Sequence, residues 1–326
     1  MGDLSGECRF DSSRLASDIT PLPTINNLSK RNTIIGITLA VLATLIWSGN
    51  FIVAKGVYKE IPPVSLAFYR WLIASLIIFP FAYRRFKTEK KIVLQNRKYF
   101  FWAALTGVTL FNTFVYIGAH YTTAINLALI GTTSSPIMAI ILARIFLKEK
   151  LSSLKIAGML FCIAGIIFLL YRGNFANLLS LHFSTGDGWV LLAAFTFAVY
   201  NTLAKRKPVS ISPVNFLFVV FTLGTILLLP FYIWELINSH RVNWSMNLML
   251  IILYLGLGTS VIAFLCWNMA IQKLGAGRTA MFGNLIPIFS SLEAVLILNE
   301  QFTFIHVISM VVVISGLVLA NLRFGG

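Results

Sequence analysis

Pro136-Ile-Met-Ala-Ile-Ile-Leu-Ala-Arg-Ile-Phe-Leu-Lys-Glu149 and Pro287-Ile-Phe-Ser-Ser-Leu-Glu-Ala-Val-Leu-Ile-Leu-Asn-Glu300 lie 151 residues apart and align without a gap. Each is an apolar run that opens on proline and closes on a polar turn ending in glutamate. The register holds on both sides. Tyr116 falls on Trp267, Ala119 on Ala270, Leu147 on Leu298 and Gly165 on Gly316. A long periodic match of this kind marks an internal repeat, and each copy then has to be read as one structural unit.

Apolar runs of about 20 residues fit spanning helices, and the chain contains ten. They cover Thr33–Ala54, Val64–Tyr83, Tyr99–Ala119, Ile125–Leu147, Ser153–Tyr171, Gly188–Ala204, Ser212–Trp234, Asn247–Ala270, Arg278–Leu298 and Thr303–Leu322. Five fall in residues 33–171 and five in 188–322, with clear correspondence for the last three of each half and weak correspondence for the first two. An odd number of spans turns the second copy upside down. The charges agree: 21 of the 26 Lys and Arg residues lie on the side of the N-terminus, four lie opposite, and Arg70 falls within a span. Cytoplasmic loops carry the excess of positive charge, so both termini are expected inside. The repeated turn follows the same rule. Leu147-Lys148-Glu149-Lys150 is expected inside and is basic, whereas Leu298-Asn299-Glu300-Gln301 is expected outside and has lost both lysines. The fold class is therefore an all-α integral membrane protein of ten transmembrane helices in two inverted five-helix repeats.

Composition excludes the alternatives. Of 326 residues, 58% are hydrophobic and only 11% charged, against about a quarter charged in soluble domains. The net charge of +15 is spread over short gaps between apolar runs. It sets topology and offers no surface to nucleic acid. Cys8, Cys162 and Cys266 lack metal-ligand spacing, and a buried thiol packs as a small hydrophobe. No metal or cofactor is expected. There is no phosphate-binding loop and no nucleophile–histidine arrangement, so the chain is not expected to be an enzyme. Residues 1–32 mix acidic and basic residues with Pro21 and Pro23, and read as a disordered cytoplasmic extension.

The run from Pro287 to Glu300 resembles the ninth-helix signature of the drug/metabolite transporter superfamily, EamA type. So do its earlier copy continuing into Lys150-Leu151-Ser152, the motif Ile46-Trp47-Ser48-Gly49-Asn50-Phe51, and Phe68-Tyr69-Arg70. The resemblance covers nearly everything after residue 32. It implies a secondary transporter of small metabolites, often amino acids, working outward across the bacterial inner membrane. Asn299 stands where that family usually has glycine, and Glu293 where it is usually apolar.

In that family the central cavity is lined by helices 1, 3, 6, 8 and 9, which nominates Trp47, Asn50, Asn112, Tyr116, Tyr200, Asn201, Trp267 and Asn284 as substrate-binding residues. Aromatic walls with sparse amides suit a solute with an apolar body and a polar head. Arg70 and Glu293 are the charged residues well within spans, both roughly 8–9 Å below the outer end at ~1.5 Å per residue. Equal depth and opposite sign predict an ion pair with a gating or coupling role, with the proton as candidate coupling ion. Asn284 and Glu293 point to nearly opposite sides of their helix unless Pro287 bends it. Pro136 and Pro287 each remove a backbone hydrogen bond near midspan and read as hinges. The function expected is export of a small organic metabolite, an amino acid first. Import of a larger metabolite such as a nucleoside derivative is the rival.

Overall fold

The computed structural model describes residues 25–146, 153–170, 184–204, 206–239, 242–274, 279 and 282–321. Most of these residues are helical, with no strand among them. The helical rods are α1 (Ile25–Gly56), α2 (Pro63–Gln95), α3 (Arg97–Ala119), α4 (Ala124–Phe146), α5 (Ser153–Leu170), α6 (Thr185–Ala204), α7 (Pro213–Asn238), α8 (Met246–Leu274), α9 (Gly283–Leu298) and α10 (Phe304–Asn321). Among the described residues six of them, α1–α3 and α6–α8, are long and apolar enough to cross a membrane, and the rest are shorter apolar helices. Phe81, Leu296 and Phe304 are more than 70% exposed. A surface carrying such side chains is stable against lipid, and the protein is a multi-pass membrane protein.

Local chemistry explains the helix ends. Proline occupies the first turn of α2 and of α7, where its missing N–H has no intrahelical partner to lose. Ser245 caps α8 by accepting from Leu248 N at 3.1 Å. Ser184 and Asp187 bond reciprocally at the start of α6, the capping-box arrangement. Asn299 ends α9 at φ 54°, in the left-handed region that favours glycine and tolerates asparagine. This backbone demand accounts for the family's usual glycine there.

Three expectations change. α1 begins at Ile25, so residues 25–32 belong to the first helix and not to a disordered extension; residues 1–24 lie outside the described ones. Those eight positions hold only two charges, and a helix can run past the bilayer edge because its backbone bonds are internal. Likewise α2, with 33 residues, is about 50 Å long at ~1.5 Å per residue against a hydrocarbon core of about 30 Å. Its last turns, with Arg84, Arg85, Lys87, Lys90 and Lys91, therefore protrude. At α9 the α-helix proper starts at Ile286 after a 3-10 turn at Gly283–Leu285. Pro287 consequently sits in the first turn of that α-helix, whereas Pro136 lies inside α4. The expected helix start at Arg278 and the Leu147–Lys150 turn lie outside the described residues.

Packing relates helices five apart in order. α2 packs on α7, α5 on α10 and α4 on α9, while α1 rests on α8 and α9 as α6 rests on α3 and α4. The α5–α10 contact is close because its residues are small: Ser309 Oγ donates to Gly165 O at 2.6 Å, and a Cβ on Gly316 would stand 2.6 Å from Gly158 O. The weak match between the second helices of the two halves has a simple cause. At 150 residues rather than 151, Ile61-Pro62-Pro63-Val64-Ser65 falls on Ile211-Ser212-Pro213-Val214-Asn215, and Pro80 on Pro230. A single-residue slip hides the likeness. Both α3 and α8 also widen into a π-helical stretch, at Leu105–Leu110 and Tyr254–Ile262.

Candidate functional site

One turn of α1 reaches several neighbours at once. Successive residues of an α-helix point about 100° apart, so Ile46 to Asn50 face different directions. The Ile46 carbonyl accepts from Tyr254 Oη at 2.6 Å and Trp47 Nε1 donates to the Thr259 carbonyl at 2.9 Å, both on α8. Ser48 Oγ donates to Glu293 Oε1 of α9 at 2.8 Å. At Gly49 a Cβ would overlap the Tyr254 hydroxyl. Asn50 turns toward α2 and α3. The π-helical turn that carries Thr259 is wider than an α-turn and recurs at functional sites.

Arg70 of α2 is the centre of the polar cluster and only 5% exposed. Its Nη1 donates to Asn50 Oδ1 at 2.6 Å, Asn112 Oδ1 at 2.7 Å and Tyr116 Oη at 2.9 Å. Its Nε donates to Ser260 Oγ at 3.0 Å. Tyr116 in turn donates to Asn50 Oδ1 at 3.1 Å. Four helices, α1, α2, α3 and α8, thus meet on one guanidinium. The expected ion pair is not formed: among the described residues Arg70 bonds only to neutral acceptors, and Glu293 bonds to Ser48. Equal depth left the direction open, and the two side chains leave their helices toward different faces of α1. Glu293 Oε2 is buried with no hydrogen-bond partner.

Asn50, Asn112 and Tyr116 therefore come together, around a residue assigned by sequence to a separate set. Trp47 and Trp267 also meet, with ring centroids 5.1 Å apart, and Phe264 stands 5.3 Å from Trp47. Tyr200 is brought elsewhere. It packs against Gly107 of the α3 π-stretch and lies 5.8 Å from Phe197, which stacks on Phe111 at 4.4 Å. Asn201 beside it is half-buried. Asn284 sits on the 3-10 turn that opens α9, so the helical-wheel opposition to Glu293 does not apply. Sequence reading missed Ser48, Tyr254 and Ser260. Ser48 stood inside a quoted motif, but hydroxyls carry no hydropathy signal.

Carboxylates hold helix starts at the rim. Glu235 accepts from Val64 N and Ser65 N at 3.1 and 2.6 Å, and Glu300 from Ala124 N and Ile125 N at 2.7 and 3.1 Å. At the other end Glu89 accepts from Ser212 N at 3.0 Å and Asn215 Nδ2 at 2.7 Å. Negative charge at a helix N-terminus meets unsatisfied N–H groups and the positive end of the helix dipole. This gives the repeated glutamate of the Pro-to-Glu run its physical role in the second copy. Glu149, its counterpart, lies outside the described residues. Among the described residues no group of three or more His, Cys, Asp or Glu side chains is arranged to hold a metal.

A family model described as the EamA-like transporter family matches residues 34–171 and again 184–322. The chain is 28% identical over 285 residues to an uncharacterized transporter of Archaeoglobus fulgidus, covering 87% of this chain and 96% of that one. It is 24% identical over 292 residues to a probable amino-acid metabolite efflux pump of Escherichia coli, covering 86% and 92%. A solved crystal structure shares the fold with a TM-score of 0.61 at 19% identity, over 89% of this chain and 95% of that one.

Proposed function

Because this chain belongs to the EamA-like transporter family, we propose that it is a secondary transporter exporting small amino-acid-like metabolites by alternating access across the bacterial inner membrane. Its ten helices form two copies, residues 33–171 and 188–322, in opposite orientation with both termini cytoplasmic. The observation that carries this reading is the exchange symmetry of the packing. Replacing each helix by the one five places on turns the α1–α8 contact into α6–α3 and α1–α9 into α6–α4, and returns α2–α7 and α5–α10 to themselves. Two antiparallel copies can trade conformations, and the trade opens the molecule to one side and then the other.

Polar chemistry is unequal between the copies. At 151 residues Asn50 falls on Asn201, but Ser48 falls on Val199, Asn112 on Ala263 and Glu293 on Leu142. At 150 residues Arg70 falls on Val220, so neither charged residue has a charged counterpart in the other copy. Ionisable residues within spans mark substrate and ion pathways. In this reading Glu293 takes and releases the coupling proton, with Ser48 as its partner in either state. Trp47, Trp267 and Phe264 provide an apolar wall for the solute, and Pro136 with the 3-10 turn before Pro287 supplies the bending points. The amino-acid assignment is supported by the likeness to the efflux pump.

The test is efflux from proteoliposomes loaded with a mixture of amino acids, followed by mass spectrometry with and without an imposed pH gradient. Loss of leucine-like or phenylalanine-like solutes, faster with the gradient, is the expected outcome. Retention of every amino acid, together with release of nucleosides, would refute the assignment.

A further inference from the structure

Arg70 is a buried cation with no counter-anion among the described residues. The described carboxylates inside the fold bond elsewhere: Glu89 to Ser212 and Asn215, Glu235 to Val64 and Ser65, Glu300 to Ala124 and Ile125, Asp187 to Thr122, and Glu293 through one oxygen to Ser48. A guanidinium carries five N–H donors and no acceptor. Its Nε is spent on Ser260, and the two hydrogens of Nη1 serve three acceptors. The two N–H groups of Nη2 have no described acceptor, and that nitrogen is not among the sealed orphan atoms. Next to it, Trp71 is 3% exposed, its ring centroid 4.9 Å from the guanidinium carbon, and its indole N–H is sealed without a partner. The unspent groups of Arg70 itself are therefore donors only.

We infer that Arg70 receives the carboxylate of the transported solute on its Nη2 side, so that the substrate class is a monocarboxylate with an apolar body. The inference rests on the transport reading above and deepens it. Charge arithmetic selects the class. One guanidinium balances one carboxylate, whereas a phosphate monoester would leave negative charge over, and Lys55, on the same α1, is committed to the Ala119 carbonyl at 2.9 Å. A head group without a carboxylate would leave the guanidinium uncompensated, which is costly within a membrane. Nη2 alone is left to the solute, its two N–H groups held in a fixed direction by the bonds at Nε and Nη1; the flexible ammonium of lysine does not reproduce that arrangement. Asn50, Asn112, Tyr116 and Ser260 hold the fork in place from three other helices, so arrival of the anion is felt by both halves of the molecule.

The probes are L-leucine, 4-methylpentanoate and L-leucinamide, titrated against the full-length protein in lipid nanodiscs with tryptophan fluorescence and thermal melting as readouts. Leucine and 4-methylpentanoate should bind and raise the melting temperature. Leucinamide should bind about tenfold or more weakly, the scale of one charge-assisted contact. Arg70→Lys should lose the discrimination. Asn112→Asp keeps its shape and places a permanent carboxylate where an amide oxygen now stands 2.7 Å from Nη1. That variant should melt higher than wild type and bind leucine about tenfold or more weakly. Equal binding of leucinamide and leucine, unchanged leucine binding by Asn112→Asp, or no binding by any monocarboxylate of a broad panel would overturn the inference. Binding of 4-methylpentanoate without leucine would uphold the carboxylate site and refute amino-acid export. Efflux of leucine and leucinamide alike from Arg70→Gln liposomes would do the reverse.

Discussion

Glu293 has one oxygen bonded to Ser48 and the other sealed without a partner, a geometry that can be satisfied by a protonated carboxyl donating to Ser48. If Glu293 is the proton site, Glu293→Gln preserves the hydrogen bond and removes the titration. Initial efflux rates between pH 5.5 and 8 should then lose their pH dependence while expression stays normal; an unchanged profile would end that role. Trp47 allows its two contributions to be separated. Trp47→Phe keeps a ring beside Trp267 and loses only the bond to Thr259, a cost of about 1 kcal/mol. Trp47→Ala also removes the wall, so it should slow transport several-fold beyond Trp47→Phe at equal expression. Equal rates for the two would reduce Trp47 to an anchor for α8. Arg70 and Glu293 are legible in sequence because a charge inside an apolar run can be counted. Their partners are not, since an asparagine or a serine has the same hydropathy whether it faces a guanidinium, a carboxylate or a helix carbonyl.

Helix ends carry the next layer of stability. Asn299→Gly relieves a left-handed backbone strain and should stabilise the protein by about 0.5–1 kcal/mol, read as a higher melting temperature. Glu300→Gln in the following position should destabilise it by about 1 kcal/mol, because the start of α4 loses a charged acceptor. The reverse order of the two melts would mean the turn is held by something other than its backbone. The helices themselves are largely readable: most of the described helix ends fall within about a turn of the ends of the apolar runs. The π-helical stretches of α3 and α8 are not, because a change of hydrogen-bond register leaves the apolar pattern almost untouched. Nor is the 3-10 turn that precedes Pro287.

At the scale of the whole molecule, topology is the claim most open to direct test. Reporter fusions after residues 90 and 206 should read cytoplasmic, and fusions near 122 and 241 external. A cytoplasmic signal at 241 would contradict the opposed orientation of the two halves. The repeat is visible in sequence where the register is ungapped and fades where one residue slips, as between α2 and α7. The rim contacts bear on how the protein is made. The acceptors that finish the starts of α2 and α4, Glu235 and Glu300, lie 170 and 176 positions downstream in the chain, and Ser260, which holds Arg70, lies 190 downstream. When the first five helices leave the ribosome, their capping groups and part of their polar core have not yet been synthesised. The early half must therefore wait in the bilayer as an unfinished fold, open to quality-control proteases, until the late half arrives. Residues 1–171 expressed alone should be degraded quickly, and co-expression of residues 172–326 as a separate chain should restore their lifetime.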